Sequence, residues 1–213
     1  MPRRRIGVYA GTFDPVHTGH ITFALQAMKA ANLDHVYFLP ERKPRGKKNV
    51  EHYAHRVAML SRALKPHPKF HELEMVEMQF TVSRTLPFLH KKFEGDTLVF
   101  LFGSDVVRHI GKWPNSSQLL KDGEFIIGLR NKDKSKEIKN IVSDWKSHPS
   151  SVYIVTSYAP EITSRKIRGA LRSKQQTSGL LKSVEKYSGS NWLYVSLSDV
   201  GANVDVNKDS LLE

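Results

Sequence analysis

Apolar and β-branched residues along this chain fall in short runs, separated by stretches whose apolar positions repeat with a helical period. Ile6, Val8 and Ala10 form the first run, which stops at Gly11. Ile21, Leu25 and Met28 then share one helical face, and residues 35–39 are a β-rich run closed by Pro40. Two strands joined by a helix of this size form a right-handed crossover, and hence a parallel sheet. Residues 51–64 carry Val57, Leu60 and Leu64 on one face and end before Pro66 and Pro68. Residues 70–80 alternate loosely and fit either a strand or an irregular segment. Ser83 is placed to cap a helix running to about Phe93, in which Pro87 is tolerated only near the first turn. Residues 97–102 are a continuous apolar run, the pattern of a strand buried on both faces.

Short helices are expected over residues 105–110 and 116–121, followed by a strand over 125–129. The polar stretch 131–150 reads as a surface excursion. A strand over 152–155, a helix over 164–173 capped by Thr163 or Ser164, and a last helix over 180–187 complete the pattern. About five strands interleaved with helices predict an α/β fold. Its sheet is doubly wound and mostly parallel, with five to six strands and C-terminal helices, and its site lies at the carboxyl ends of the strands. Residues 1–195 are expected to form one domain and 196–213 a flexible tail.

Composition narrows the chemistry. The 213 residues include no cysteine, which removes disulfides, thiol nucleophiles and thiolate metal sites. No run approaches the roughly 18 apolar residues of a membrane span, and the first apolar run is too short for a signal peptide, so a cytoplasmic location is expected. Lys and Arg number 33 against 21 Asp and Glu, a net charge of +12 that calls for an anionic partner: nucleic acid, a membrane surface or phosphorylated metabolites. Eight of these positive charges sit in Arg3–Arg5 and in the mobile loop that holds Arg42, Lys43, Arg45, Lys47 and Lys48. For the N-terminal arginines the plain reading is a non-specific polyanion contact.

The segment Gly-Thr-Phe-Asp-Pro-Val-His-Thr-Gly-His, residues 11–20, sits after the first strand and leads into the first helix. Gly11 lets the backbone approach a ligand closely. A helix starting near Gly19 offers N–H groups and a positive dipole end to an anion, and His17 and His20 add donors. The segment outlines a phosphate site, yet it has neither the Gly-Lys-Ser/Thr ending of a P-loop nor the third glycine of a dinucleotide fingerprint. His52 and His55 share a helical face without a matching partner motif, which makes a metal site there an unfavoured reading.

This segment is similar to the G-x-F-x-P-x-H-x-G-H signature of the nucleotidylyltransferases. Phe102-Gly-Ser-Asp105 with Ile110-Gly-Lys-Trp113, Glu161-Ile-Thr-Ser-Arg-Lys-Ile-Arg168, and the closing Tyr187–Tyr194 resemble further motifs of its nicotinate mononucleotide adenylyltransferase branch. The resemblance spans roughly residues 5–195. It implies a Rossmann-like fold and a reaction in which the phosphate of a pyridine mononucleotide attacks the α-phosphorus of ATP, as in NAD biosynthesis. Under it, His17, His20 and Arg168 are the catalytic residues, and Gly11, Thr12, Phe13, Gly19, Gly103, Asp105 and Ser164 complete the ATP site. Thr12, Lys43, Arg45, Thr81 and Trp113 meet the acceptor, and Mg²⁺ is carried by the ATP phosphates with no metal site of the protein's own. Asp105 also reads as a helix N-cap and Trp113 as a core residue. Thr81 and Val82 stand where the nicotinate-specific branch has Tyr and Thr, which leaves the amide, nicotinamide mononucleotide, as an alternative acceptor. Phosphopantetheine is another. A basic nucleic-acid-binding module is the alternative of a different class, and it leaves His17, His20 and Arg168 without a role.

Overall fold

The computed structural model describes residues 3–74, 77–130, 133–156, 159 and 161–195. Six strands, β1 (Arg5–Gly11), β2 (His35–Pro40), β3 (Phe70–Glu72), β4 (Thr97–Gly103), β5 (Glu124–Leu129) and β6 (Val152–Thr156), form one sheet. Its order is β3-β2-β1-β4-β5-β6, and every neighbouring pair is parallel. The helices are α1 (Thr18–Ala31), α2 (Tyr53–Leu64), α3 (Val82–Lys92), α4 (Ser104–Ile110), α5 (Ser116–Asp122), α6 (Ser135–Ser143), α7 (Ser164–Arg172) and α8 (Lys182–Ser190). This is the doubly wound arrangement with six strands. The chain reverses its direction of travel across the sheet between β1 and β4, which opens a crevice at their carboxyl ends.

Strand alternation builds two apolar layers. Leu98, Phe100 and Phe102 of β4 join Ile6 and Val8 in a core that also takes Leu86 and Leu89 of α3. Val99 and Leu101 point the other way and join Tyr9, Val36, Phe38 and the alanines of α1. β4 is therefore buried on both faces, as its unbroken apolar run predicts.

Three expectations need correction. The polar stretch 131–150 contains α6, whose Ile138, Ile141 and Val142 recur at helical spacing and, with Trp145 just beyond its end, pack on the core. The cap position of α3 is Thr81 rather than Ser83, and Pro87 lies at the helix's sixth residue, two residues deeper than expected. The N-terminal arginines have intramolecular partners. Arg4 forms a two-pronged pair with Asp96 at the start of β4 (3.2 and 2.7 Å), and Arg5 forms another with Glu124 at the start of β5 (3.0 and 2.7 Å). Arg5 also donates to the carbonyl of Ala31, so these charges tie strand beginnings together at the end of the sheet remote from the crevice. The expected tail from Ser196 lies outside the described residues.

Candidate active site

β1 ends at Gly11, and the chain from Thr12 to His17 crosses the crevice before α1 begins. Glycine is required at Gly11 because a Cβ there would lie 2.9 Å from the Phe13 ring, which is buried under the turn. The turn is held from behind by Arg56 of α2, a residue only 1% exposed. Its guanidinium donates to the carbonyls of Thr12 (2.6 Å), Glu41 (2.9 Å), Arg42 (3.1 Å) and Glu51 (3.0 Å). One buried cation thus fixes the loops after β1 and β2 against each other, and its five-donor fork suits that task. The carboxylate of Asp14, 2% exposed, accepts from the Tyr194 hydroxyl (2.7 Å) and faces Arg168 (3.5 Å). Arg168 donates as well to the Asp14 carbonyl (2.5 Å).

His17 is the N-cap residue of α1, and its ring lies on that of His20 with centroids 3.7 Å apart. The His17 backbone N–H donates to Nδ1 of His20 (3.2 Å), which selects the neutral tautomer with its proton on Nε2. Burial, then the charges of His17, Arg130 and Lys47, push the His20 pKa well below the ordinary imidazole value. Burial, with help from Arg130, lowers that of His17 to about 4. At neutral pH both rings are uncharged. Nδ1 of His17 is buried without a hydrogen-bond partner among the described residues. Gly19 leaves room for this ring, since a Cβ there would lie 3.0 Å from it.

The crevice opens into a cleft of about 1700 Å³, measured out to bulk solvent. Gly11, Thr12, Phe13, His17, His20, Gly103 and Asp105 line it, with Ser164 and Arg168 at the start of α7 and Trp113 and Arg45 at the rim. Gly19 lines a small adjoining recess that shares His17, His20, Gly103 and Arg130 with the cleft. Trp113, partly buried, meets Phe80 (6.1 Å) and Phe102 (6.0 Å) ring to ring, so it is a cleft wall seated on the core. Asp105 is the second residue of α4, Gly103 being its N-cap, and its half-exposed carboxylate pairs with Arg130 (3.3 Å). Thr163 caps α7 by accepting from the Lys166 N–H (3.2 Å), while the Ser164 hydroxyl donates to the Pro15 carbonyl (3.0 Å). What α7 presents to an anion is therefore its first backbone N–H groups and Arg168.

Two expected residues are not brought in. Lys43 bonds through its backbone N–H to Met78, and its side chain is exposed away from the lining. Thr81 stands behind Phe80, which takes the place in the lining. Arg45 reaches the rim, but its guanidinium donates to Gln79 (2.8 Å) and the Phe80 carbonyl (3.3 Å), so it secures the segment before α3. From the same loop Lys47 turns its ammonium onto Thr12 Oγ1 (2.7 Å), and burial lowers its pKa. Arg130, Arg165, Arg56 and Tyr194 complete the site or its support; Arg165 and Tyr194 lie within the segments 161–168 and 187–194, where the resemblance gives them no role, and Arg56 and Arg130 belong to no motif. Arg130 follows the carboxyl end of a predicted strand, the one signal that pointed to it. His55 bonds to the Tyr187 hydroxyl (2.9 Å), and no group of three metal-ligating side chains occurs among the described residues.

A family model described as cytidylyltransferase-like matches residues 8–170. The chain is 32% identical over 201 residues to the nicotinate-nucleotide adenylyltransferase of Bacillus subtilis (strain 168), covering 91% of this chain and all of that protein. It is 36% identical over 194 residues to a probable nicotinate-nucleotide adenylyltransferase of Coprothermobacter proteolyticus, covering 89% and 95% of the two chains. In fold it is similar to the nicotinic acid mononucleotide adenylyltransferase of Plasmodium falciparum solved in complex with NaAD. The TM-score is 0.76 at 17% identity, over 90% of this chain and 98% of that one.

Proposed function

The chain belongs to the cytidylyltransferase-like family, and from that premise we propose that its cleft transfers the adenylyl group of ATP to nicotinate mononucleotide, giving deamido-NAD and pyrophosphate. A phosphate oxygen of the mononucleotide forms a bond to the α-phosphorus of ATP as the bond to the departing pyrophosphate breaks. The nucleophile arrives as an anion, so the protein has no strong base to supply. Its work is alignment and the balancing of charge on the phosphoryl oxygens.

The observation that carries this reading is the closely packed, uncharged His17–His20 pair at the start of α1, lining a cleft with Lys47, Arg130 and Arg168. His20 offers Nε2–H to a non-bridging oxygen of the α-phosphate, and His17 stands beside it. Arg168, held by Asp14 through one of its nitrogens, keeps its remaining donors for the β- and γ-phosphates, together with the first N–H groups of α7. Lys47 joins them from the opposite wall. Trp113 gives a flat aromatic face to the pyridine ring, and Asp105 accepts from ribose hydroxyls.

Mg²⁺ enters with ATP as part of the substrate. Asp14 is committed to Tyr194 and Arg168, and no group of three metal-ligating side chains occurs among the described residues, which fits an ion carried by phosphate oxygens and water. The relatives' names, over nearly the whole chain, favour the acid over the amide. No helix among the described residues is long and apolar enough to cross a membrane, and the reading is that of a cytoplasmic enzyme.

The test is incubation with MgATP and, in turn, nicotinate mononucleotide, nicotinamide mononucleotide and phosphopantetheine, with products identified by mass. Deamido-NAD as the main product is expected. Absence of product with both pyridine mononucleotides overturns the reading. His20→Ala is expected to lower kcat by about 10² to 10³ with a smaller change in KM.

A further inference from the structure

Arg130 is a cation of the cleft with a weak tether. It follows β5 directly, and its backbone N–H donates to the buried Ser104 hydroxyl (3.1 Å), which fixes where the side chain begins. The guanidinium itself has one polar partner among the described residues, Asp105, at 3.3 Å. Both side chains are about half exposed, 46% for Arg130 and 58% for Asp105, so solvent screens the attraction and little holds the pair closed. Three other cations of the cleft are committed: Arg168 is bonded to Asp14, Arg45 to Gln79 and Phe80, and Lys47 to Thr12. Arg130 also stands at a junction, since it lines both the cleft and the recess beside His17 and His20. The ion pair lies over Gly103, where a Cβ would collide with Asp105 Oδ1 and lie 2.8 Å from Arg130 Nε. A glycine keeps that space open for both side chains.

We propose that the Asp105–Arg130 pair is a placeholder that an entering nucleoside triphosphate opens. Arg130 swings its guanidinium onto the phosphate chain, and Asp105 is released to accept from a ribose hydroxyl. Each group exchanges a weak, solvated partner for a ligand group of matching chemistry. The two charges of this pair thus offset each other until nucleotide arrives. The proposal rests on the adenylyl-transfer reading, because it needs ATP as ligand, and it makes Arg130 a catalytic residue that touches the phosphates.

The experiment compares two ligands by NMR titration: adenosine, and an ATP analogue whose α,β-bridging oxygen is replaced by CH₂ so that it cannot react. Arg130→Gln is expected to weaken the analogue by about 10- to 100-fold, the range for a charged hydrogen bond, and adenosine by less than about threefold. Asp105→Asn is expected to do the reverse: adenosine loses affinity while the freed Arg130 offsets part of the loss for the analogue. The ratio of the two affinities therefore moves in opposite directions in the two variants. A ratio unchanged in both makes the pair a structural bridge and overturns the proposal. Wild-type protein that does not bind the analogue overturns the adenylyl-transfer reading itself, and the variants are not needed to see it. Arg130→Lys, which keeps the charge, is expected to recover part of the analogue's affinity, and no recovery argues against a phosphate contact. Circular dichroism of each variant confirms that the fold is retained.

Discussion

Lowering the pH should unlock the histidine pair before it affects the carboxylates. His17 and His20 are held uncharged in the folded protein, His17 with a pKa brought from 6.5 to about 4 and His20 well below 6.5, chiefly by burial. Between about pH 4 and 6.5 the unfolded chain binds more protons at these sites than the folded one. Stability is therefore complete above 6.5 and falls as the pH drops through that window. A pKa lowered from 6.5 to about 4 corresponds to about 3 kcal/mol for His17, whose residue is only 6% exposed, and His20 adds in the same direction. Asp96 and Asp133, whose pKa values are lowered by hydrogen bonds from Arg4 and Ser104 respectively, lose stability only below 3.8. His71, lowered by burial and by His35, contributes in the histidine window, so a reference protein is needed. The assay is urea unfolding at pH 7.5 and 4.5 for the wild type and for a His17→Asn/His20→Asn double variant. Wild type is expected to lose at least about 2 to 3 kcal/mol more than the variant on acidification, the share of His17 alone. Equal losses would mean that burial does not lower the pKa of either ring and would refute the shifts from which their neutrality across this window is argued.

Three further outcomes follow from the support of the cleft. Arg56→Ala removes a buried cation from four carbonyls and should cost about 3 to 5 kcal/mol in urea unfolding, with Arg56→Lys recovering only part because one ammonium cannot reproduce the fork; a cost below about 1 kcal/mol contradicts the clamp. Tyr194→Phe leaves the buried Asp14 carboxylate one donor short and should cost about 1 to 3 kcal/mol while raising KM for ATP through Arg168; steady-state kinetics with an unchanged KM would separate Tyr194 from the phosphate site. Gly19→Ala replaces a poor helix former yet puts a methyl 3.0 Å from the His17 ring, so kcat should fall about tenfold without a lower Tm; full activity would show that the ring's position is not critical.

What was legible in the sequence was local. The run at residues 97–102 announces β4, buried on both faces, and residues 11–20 place two imidazoles where a strand meets a helix. The strand order that puts this turn in a crevice depends on pairings among strands far apart in the chain, and only the resemblance suggested it. Helix α6 shows how composition misleads: its apolar positions 138, 141 and 142 keep helical spacing inside a stretch rich in lysine and serine. Arg56 lies between His55 and Val57 and reads as a surface cation, because nothing local says that four carbonyls from distant loops converge on it. Asp14 and Tyr194 are 180 residues apart, and their hydrogen bond is a property of the tertiary structure alone.

The chain's excess of positive charge now divides by distance from the phosphate site. Arg4 and Arg5 hold strand beginnings at the far end of the sheet, so their charge has a structural role. At the near end, the cations that line the cleft are Lys47, Arg130, Arg165 and Arg168, together with Arg45 and Lys48 at the loop. The histidines cannot add to this charge. Two imidazolium rings with centroids 3.7 Å apart would repel by roughly 4 kcal/mol even in a medium of effective dielectric 20, with Arg130 and Lys47 raising the cost further. A neutral pair avoids that repulsion and still presents a fixed N–H. The site therefore separates two tasks that a lysine or arginine would combine. On the proposed reading, permanent charges gather the phosphates and the uncharged Nε2–H of His20 meets the phosphate at which bonds change, where an added full charge would hold substrate and product as firmly as the transition state.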